Sequence, residues 1–409
     1  MRKSVKKSGL FMRKYEWASY LMYFLGGMTT VLLGSIMPQL ITYYHTSYTT
    51  GGVLALLASL GFIAGVPITT FLMNRLSYRF LLALAAGTVA IAQIAISLLL
   101  PLPLLGFLII LNGLGAASLE TAVASYNMEI FKGRRAIMMS RLEVAFGLGA
   151  LILPSFASLF IKLGLWSMTP LLIAMIALFL MLFWPTIKIS TSERQSTSDA
   201  VHVDAKTADP PKFITNRSRY LVLLFFLVSI LLYVGVEGSL NTFLPTLFEV
   251  GMKTKPYLAT ISSTIFWGSM VIGRLLISRI VQKIRYEHYI LISMLLGAVF
   301  FLFIIIAPTL LLAFLAIFGL GISLSAIYSI IMVFANHTFP GKERLVTSSI
   351  TAFAGIGSAV FPAIIGYAID HLTTHQVFGL ILLFILCMII VFITILVTLS
   401  LLRKNARLP

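Results

Sequence analysis

Charge is what this sequence has least of. Only 11% of its 409 residues are Asp, Glu, Lys or Arg, whereas ordinary globular domains carry about 25%. Acids are scarcest, 13 against 30 basic residues, and 59% of the chain is hydrophobic. Such a composition excludes a soluble domain. The single cysteine, Cys387, lies inside an apolar run, so no intrachain disulfide can form. There is no CxxC and no HExxH, so neither a redox pair nor a zinc-protease helix is expected. No GxxxxGK[ST] occurs, so ATP drive has no site within the chain. His371 and His375 stand four apart beside Asp370, but a zinc site needs further ligands and none is near. With no nucleophile–base pair either, no enzyme activity, metal or cofactor is expected.

What is present is a series of apolar runs of roughly 18 to 28 residues, long enough to cross a hydrocarbon core about 30 Å thick. They lack the alternation of a barrel strand, so the expected fold is all-α. Twelve spans fit: 17–43, 51–74, 80–100, 104–131, 136–161 and 167–187, then 219–248, 257–281, 288–307, 309–337, 345–369 and 377–402. The first run is too long for a signal peptide and lacks a small-residue cleavage site. Residues 1–16 and 403–409 read as basic tails. The polar stretch 188–218, KISTSERQSTSDAVHVDAKTADPPKFITNRS, has too little apolar surface to fold and reads as a flexible linker between two six-helix bundles.

The net charge of +17 would point to nucleic acid in a soluble protein. Here its placement argues for topology instead. The tails, the central linker and the short loops after spans two, four, eight and ten, with adjoining helix ends, hold 27 of the 30 basic residues. Only Lys162, Lys253 and Lys255 fall on the other side. By the positive-inside rule both termini are expected in the cytoplasm, in a plasma membrane of bacterial inner-membrane type. The Asn216-Arg-Ser and Asn336-His-Thr matches to glycosylation acceptors then lie on the wrong side and are accidental.

The two halves repeat one another. Gly65 falls on Gly273, and Gly147, Gly149 and Pro154 fall on Gly355, Gly357 and Pro362, all 208 apart. Pro38 falls on Pro245, 207 apart, and Gly113-Leu-Gly115 on Gly319-Leu-Gly321, 206 apart. Duplicated helical bundles are how many secondary transporters are built, with substrate held near the midplane between the repeats. Small residues such as Gly61 and Gly65 suit close helix contact.

Charge inside a span costs about 2.5–3.5 kcal/mol on the lenient scale and marks function by default. Three acids qualify. Glu120 lies near the middle of span four, with Asn127 returning to almost the same face. It suits a proton carrier, neutral in dry surroundings and ionised when water arrives; the bland alternative is an acid hydrogen-bonded to a neighbouring helix. Glu237 forms a polar stripe with Tyr233 and Asn241 at i, i+4 spacing, suited to the hydroxyls of a sugar, to a cationic drug, or to structural bonding alone. Trp267, with Ser263 a turn before it, either stacks on a sugar ring or packs the core. Asn112, Asn127 and Gln39 complete the candidate substrate-binding set. Glu143, two residues after Arg141 near the cytoplasmic end of span five, reads as a salt-bridge or inner-gate residue before a substrate contact, with Arg141 and Arg274 the other gating candidates.

Three stretches, GLGAASLETAVASYNMEIF, MSRLEVAFGLGALILP and YVGVEGSLNTFLP with FWGSMVIGRLLI after it, resemble the glucose/mannose–proton symporters of bacilli, in the fucose–galactose–glucose branch of the major facilitator superfamily. The general resemblance covers nearly the whole chain and the specific motifs about a quarter. It implies a twelve-helix fold with inside termini and a monomer. It also implies that Glu120 matches the acid of proton coupling, and that Glu237 and Asn241 match cavity-facing positions. Three features depart from the pattern. No acid lies between Trp17 and Tyr43, the loop NRLSYRF lacks the usual aspartate, and span ten reads SLSAIYSIIM in place of Gly-Ile-Phe-Pro.

The expected function is therefore a proton-coupled symporter of a small solute, foremost a hexose, working by alternating access. Its partners are the solute, protons and the lipid bilayer, without nucleic acid. An exporter of drugs or metabolites on the same fold is the first rival, and a non-transporting sensor or lipid-handling protein the second.

Overall fold

A hydrocarbon environment offers the backbone no partner but itself, so an apolar run of this length closes its hydrogen bonds along its own axis. The computed structural model describes residues 2–131, 135–187, 216–280 and 284–405. Most of the linker, 188–215, lies outside the described residues. Among the described residues thirteen main helices follow in order: α1 (Arg2–Tyr43), α2 (Tyr48–Met73), α3 (Tyr78–Ser97), α4 (Leu102–Ile130), α5 (Arg135–Lys162), α6 (Thr169–Phe183), α7 (Asn216–Met252), α8 (Pro256–Ile280), α9 (Tyr286–Ile306), α10 (Leu310–Leu324), α11 (Ile327–Thr338), α12 (Glu343–His371) and α13 (Thr374–Asn405). Taking α10 and α11 as one broken span, twelve segments among the described residues are long and apolar enough to cross a membrane. The expected tail 1–16 is continuous with α1, whose helix runs from Arg2.

The chain forms two compact units. The first holds α1, α3 to α6 and α2 from Val53, together with Lys255–Thr264 at the start of α8. The second holds α7, the rest of α8 and α9 to α13, together with Ser47–Gly52 at the start of α2.

Equivalent contacts inside each unit establish the duplication in three dimensions. A Cβ on Gly149 would strike the Phe24 carbonyl and the Met28 nitrogen of α1. A Cβ on Gly357 would strike the Leu231 carbonyl and the Gly235 nitrogen of α7. These pairs are 207 and 208 residues apart, so α1 crosses α5 as α7 crosses α12. Gly65 of α2 sits against Leu114 and Ala117 of α4, and Gly273 of α8 against Ile322 and Ser325 at the end of α10. That contact has an offset of 208, two more than the Gly-Leu-Gly match gives. Gly113 therefore corresponds to Gly321, not Gly319: both face the preceding helix, at the Ala58 and the Phe266 carbonyls. Two glycines spaced two apart offer two alignments, and sequence matching picks the wrong one.

Candidate functional site

In the first unit the site is built on α1, α4 and α5. Glu120 enters from α4, two-thirds of the way along that helix. Gly26 of α1 faces it, and a Cβ there would lie 3.2 Å from Glu120 Oε1. The missing side chain is what leaves room for the carboxyl against α1. One turn earlier on α1, the Tyr23 hydroxyl donates to the Glu120 main-chain carbonyl at 3.3 Å. Glu120 Oε1 is itself buried and, among the described residues, has no hydrogen-bond partner. Glu143 of α5 lies within electrostatic reach of both Glu120 and Tyr23. It is exposed. Arg141, the other half of the expected inner gate, points its guanidinium at the Tyr20 hydroxyl of α1, 3.5 Å away.

Two of the first unit's candidate amides bridge helices. Asn112 Oδ1 accepts from Gln93 Nε2 at 2.8 Å, tying α4 to α3. Asn127 is buried and donates from Nδ2 to Ser19 of α1 at 3.2 Å and to the Val123 carbonyl at 2.8 Å. Both do structural work between helices. Gln39 is half-buried and its Oε1 has no partner among the described residues.

In the second unit the polar stripe of α7 meets a break in span ten. The helix stops at Leu324 and restarts at Ile327, with Ser325 and Ala326 in a turn. Such a break strips carbonyls of the last turn of their usual helical donors. Two side chains reach them. Tyr233 of α7 donates its hydroxyl to the Leu324 carbonyl at 2.8 Å, and Arg274 of α8 donates Nε to the Ser325 carbonyl at 3.3 Å. Tyr233 is 2% exposed, so it is a buried support for the break. Glu237 is half-buried next to it, within hydrogen-bonding reach of the Tyr233 hydroxyl, which Arg274 also approaches. One turn further on, Asn241 Oδ1 accepts from Trp267 Nε1 at 3.1 Å. The Trp267 ring is covered, 4% exposed, and packs edge-on against Phe266. It holds the Asn241 amide in place and has little free face for a sugar ring.

The sequence singles out Glu120, Glu237, Asn241 and Arg274 as candidates, but gives no signal for the groups that the structure places beside them, Tyr23, Gly26 and the Leu324–Ser325 carbonyls. Nothing local signals them, because each acquires its meaning from a neighbour roughly 50 to 100 residues away. His371 is turned to its own helix, its Nδ1 2.9 Å from the Tyr367 carbonyl and its ring stacked on Tyr367.

Helical bundles that place carboxyls, amides and a broken helix at membrane depth define a class, the membrane transporters. The chain matches the Major Facilitator Superfamily over residues 19–344 and again over 263–407, and it belongs to that family. It is 26% identical over 361 residues to a glucose/mannose transporter of Bacillus subtilis, covering 88% of this chain and 89% of that one. It is 25% identical over 386 residues to a glucose/galactose transporter of Brucella abortus, covering 88% of each. Its fold superimposes on a D-xylose–proton symporter with a TM-score of 0.73 at 14% identity, over 93% of this chain and 97% of the other. Its twelve apolar helical segments and its family make it a multi-pass membrane protein.

Proposed function

We propose that this protein is a proton-coupled hexose symporter that works by alternating access, with both termini in the cytoplasm. The observation that carries the reading is Glu120: a carboxyl at membrane depth whose Oε1 is buried, unpartnered and seated in a gap left by Gly26. An acid with a full set of partners would be a structural brace. One lacking them is poised to change protonation as water comes and goes, and a proton bound there biases which state is populated. The relatives' names, glucose/mannose and glucose/galactose transporter, support a hexose. In this reading Glu237 and Asn241 meet the sugar hydroxyls, with Trp267 fixing the amide. The basic residues gathered in the tails and the loops after spans two, four, eight and ten support cytoplasmic termini.

The test is uptake in proteoliposomes. Glu120→Gln should abolish accumulation driven by a pH gradient while leaving sugar counterflow, which needs no net proton movement. Unchanged accumulation in the variant would refute the assignment.

A further inference from the structure

On the loop face opposite the termini, the first turn of α2 is fastened to the last turn of α12. Asp370 Oδ1 accepts the Tyr48 N–H at 3.0 Å, and Oδ2 accepts both the Thr49 N–H and the Thr49 hydroxyl at 2.6 Å each. The Ser47 hydroxyl also faces this carboxylate. These bonds use the amide hydrogens that a helix start leaves without intrahelical partners, and the carboxylate meets the positive end of the α2 dipole. The backbones touch here as well. A Cβ on Gly52 would lie 2.8 Å from the Pro362 carbonyl, and one on Gly366 would collide with the Tyr48 carbonyl. Ser47–Gly52 accordingly groups with the second unit, although α2 from Val53 onward belongs to the first.

The duplicate of this arrangement lacks its charge. The residue 208 before Asp370 is Lys162, a cation that cannot accept a hydrogen bond. The matching helix, α8, starts on Pro256, whose nitrogen carries no hydrogen. What remains in the first unit is neutral or weak. Ser158 donates to the Tyr257 carbonyl at 2.7 Å, Ser155 and Thr264 pair at 3.2 Å, and Lys162 Nζ sits 5.7 Å from the Tyr257 ring. Charge-assisted bonds are about twice as strong as neutral ones. The two clasps are therefore unequal.

We propose that Asp370 is a gating latch. Its carboxylate holds the start of α2 to α12, and the start of α2 cannot travel with the rest of α2 until the three bonds release. The Ser158–Tyr257 contact, its neutral duplicate, gives way first. Other groups facing the latch are Glu249 of α7, which shares the surroundings of Tyr48, and His371, which is turned to Tyr367. The idea rests on the alternating-access reading above, but its test does not require that a sugar be identified.

The experiment places spin labels at Leu163→Cys and Leu372→Cys, exposed positions just beyond α5 and α12, in a Cys387→Ser background, and measures the distance distribution in liposomes without solute. Asp370→Ala should raise the ratio of the longer-distance class to the shorter one at least tenfold. Thr49→Val, which removes one bond of three, should give a smaller rise, and Lys162→Ala should leave the ratio within about twofold. If Asp370→Ala aggregates, Asp370→Asn, which keeps an acceptor oxygen but loses the charge, takes its place, with an expected rise between the other two. Identical distributions in the Asp370 variants and the parent would overturn the latch. Movement of the labels in a protein that takes up no hexose would leave the latch standing and sink the symport reading instead.

Discussion

The break between α10 and α11 makes a quantitative demand on Tyr233. Tyr233→Phe keeps the ring, and hence the packing of a side chain that is 2% exposed, but removes the donor 2.8 Å from the Leu324 carbonyl. Inside membranes, hydrogen bonds between helices average only about 0.6 kcal/mol, because the reference state finds other partners. A carbonyl next to a break is a different case, since its helical donor has moved away, and a buried polar group left unmatched costs about 1–3 kcal/mol. The expected loss is therefore about 1–2 kcal/mol, or roughly 2–8 °C in melting midpoint for a cooperative unit of about 150–250 residues. Ser239→Ala supplies the control. Its hydroxyl is also buried, but it bonds to the Gly235 carbonyl inside the unbroken α7 at 2.8 Å, where the backbone ladder persists without it. That variant should shift by less than about 0.5 kcal/mol. Thermal unfolding of the three purified proteins in detergent reads the difference. Equal midpoints for Tyr233→Phe and Ser239→Ala would show that the Leu324 carbonyl has another donor and that Tyr233 does not hold the break.

Further outcomes follow from the same geometry. Arg274→Lys keeps the charge but loses the Nε donor to the Ser325 carbonyl; it should lower the midpoint by an amount similar to Tyr233→Phe, and a wild-type midpoint would dissociate Arg274 from the break. Gly149→Ala drives a Cβ into the Phe24 carbonyl of α1, whereas a Cβ on Gly379 would meet nothing within 4 Å. The first should cost about 1–3 kcal/mol by overpacking and the second almost nothing, as read by thermal unfolding side by side. Trp267→Phe removes the N–H that fixes Asn241. Hexose uptake should then show an apparent affinity about tenfold weaker, equivalent to about 1.4 kcal/mol, with the maximal rate little changed.

The sequence makes the twelve spans legible because continuous apolarity over a membrane's thickness leaves the backbone one solution. Glu120 is legible for a related reason, since an acid in such a run is costly and stands out. The break in span ten is not, because its residues, Leu-Ser-Ala-Ile, contain neither proline nor glycine, the usual causes of a kink. It is maintained from outside, by Tyr233 and Arg274, and a support that comes from roughly 50 to 90 residues away leaves no local trace. Asn112, Asn127 and Trp267 illustrate the converse. Each reads as a polar or aromatic group free for substrate until the structure supplies Gln93, Ser19 and Asn241 as partners.

The corrected register then explains why the two halves carry different chemistry on one scaffold. With α1 and α7 offset by 207, Gly26 corresponds to Tyr233; with α4 and span ten offset by 208, Ala117 and Ser118 correspond to Ser325 and Ala326, and Glu120 to Tyr328. In the first copy α1 presents no side chain at this point, α4 stays helical, and the vacant volume takes the Glu120 carboxyl. In the second copy the same point of α7 presents a phenol, the facing helix is broken, and the phenol bonds to a carbonyl at the break. A glycine and an acid have been exchanged for a tyrosine and a turn. In the proposed reading the first arrangement leaves an acid oxygen without a partner and suits a proton; the second pairs its phenol with a carbonyl, places Glu237 and Asn241 on the adjoining turns of α7, and suits a hydroxylated solute. A double variant, Gly26→Tyr with Glu120→Ala, tests this division. Removing the carboxyl makes room for the phenol, and the variant should lose proton-driven accumulation while keeping counterflow. Loss of both activities in a folded protein would show that the two sites are not separable in this way.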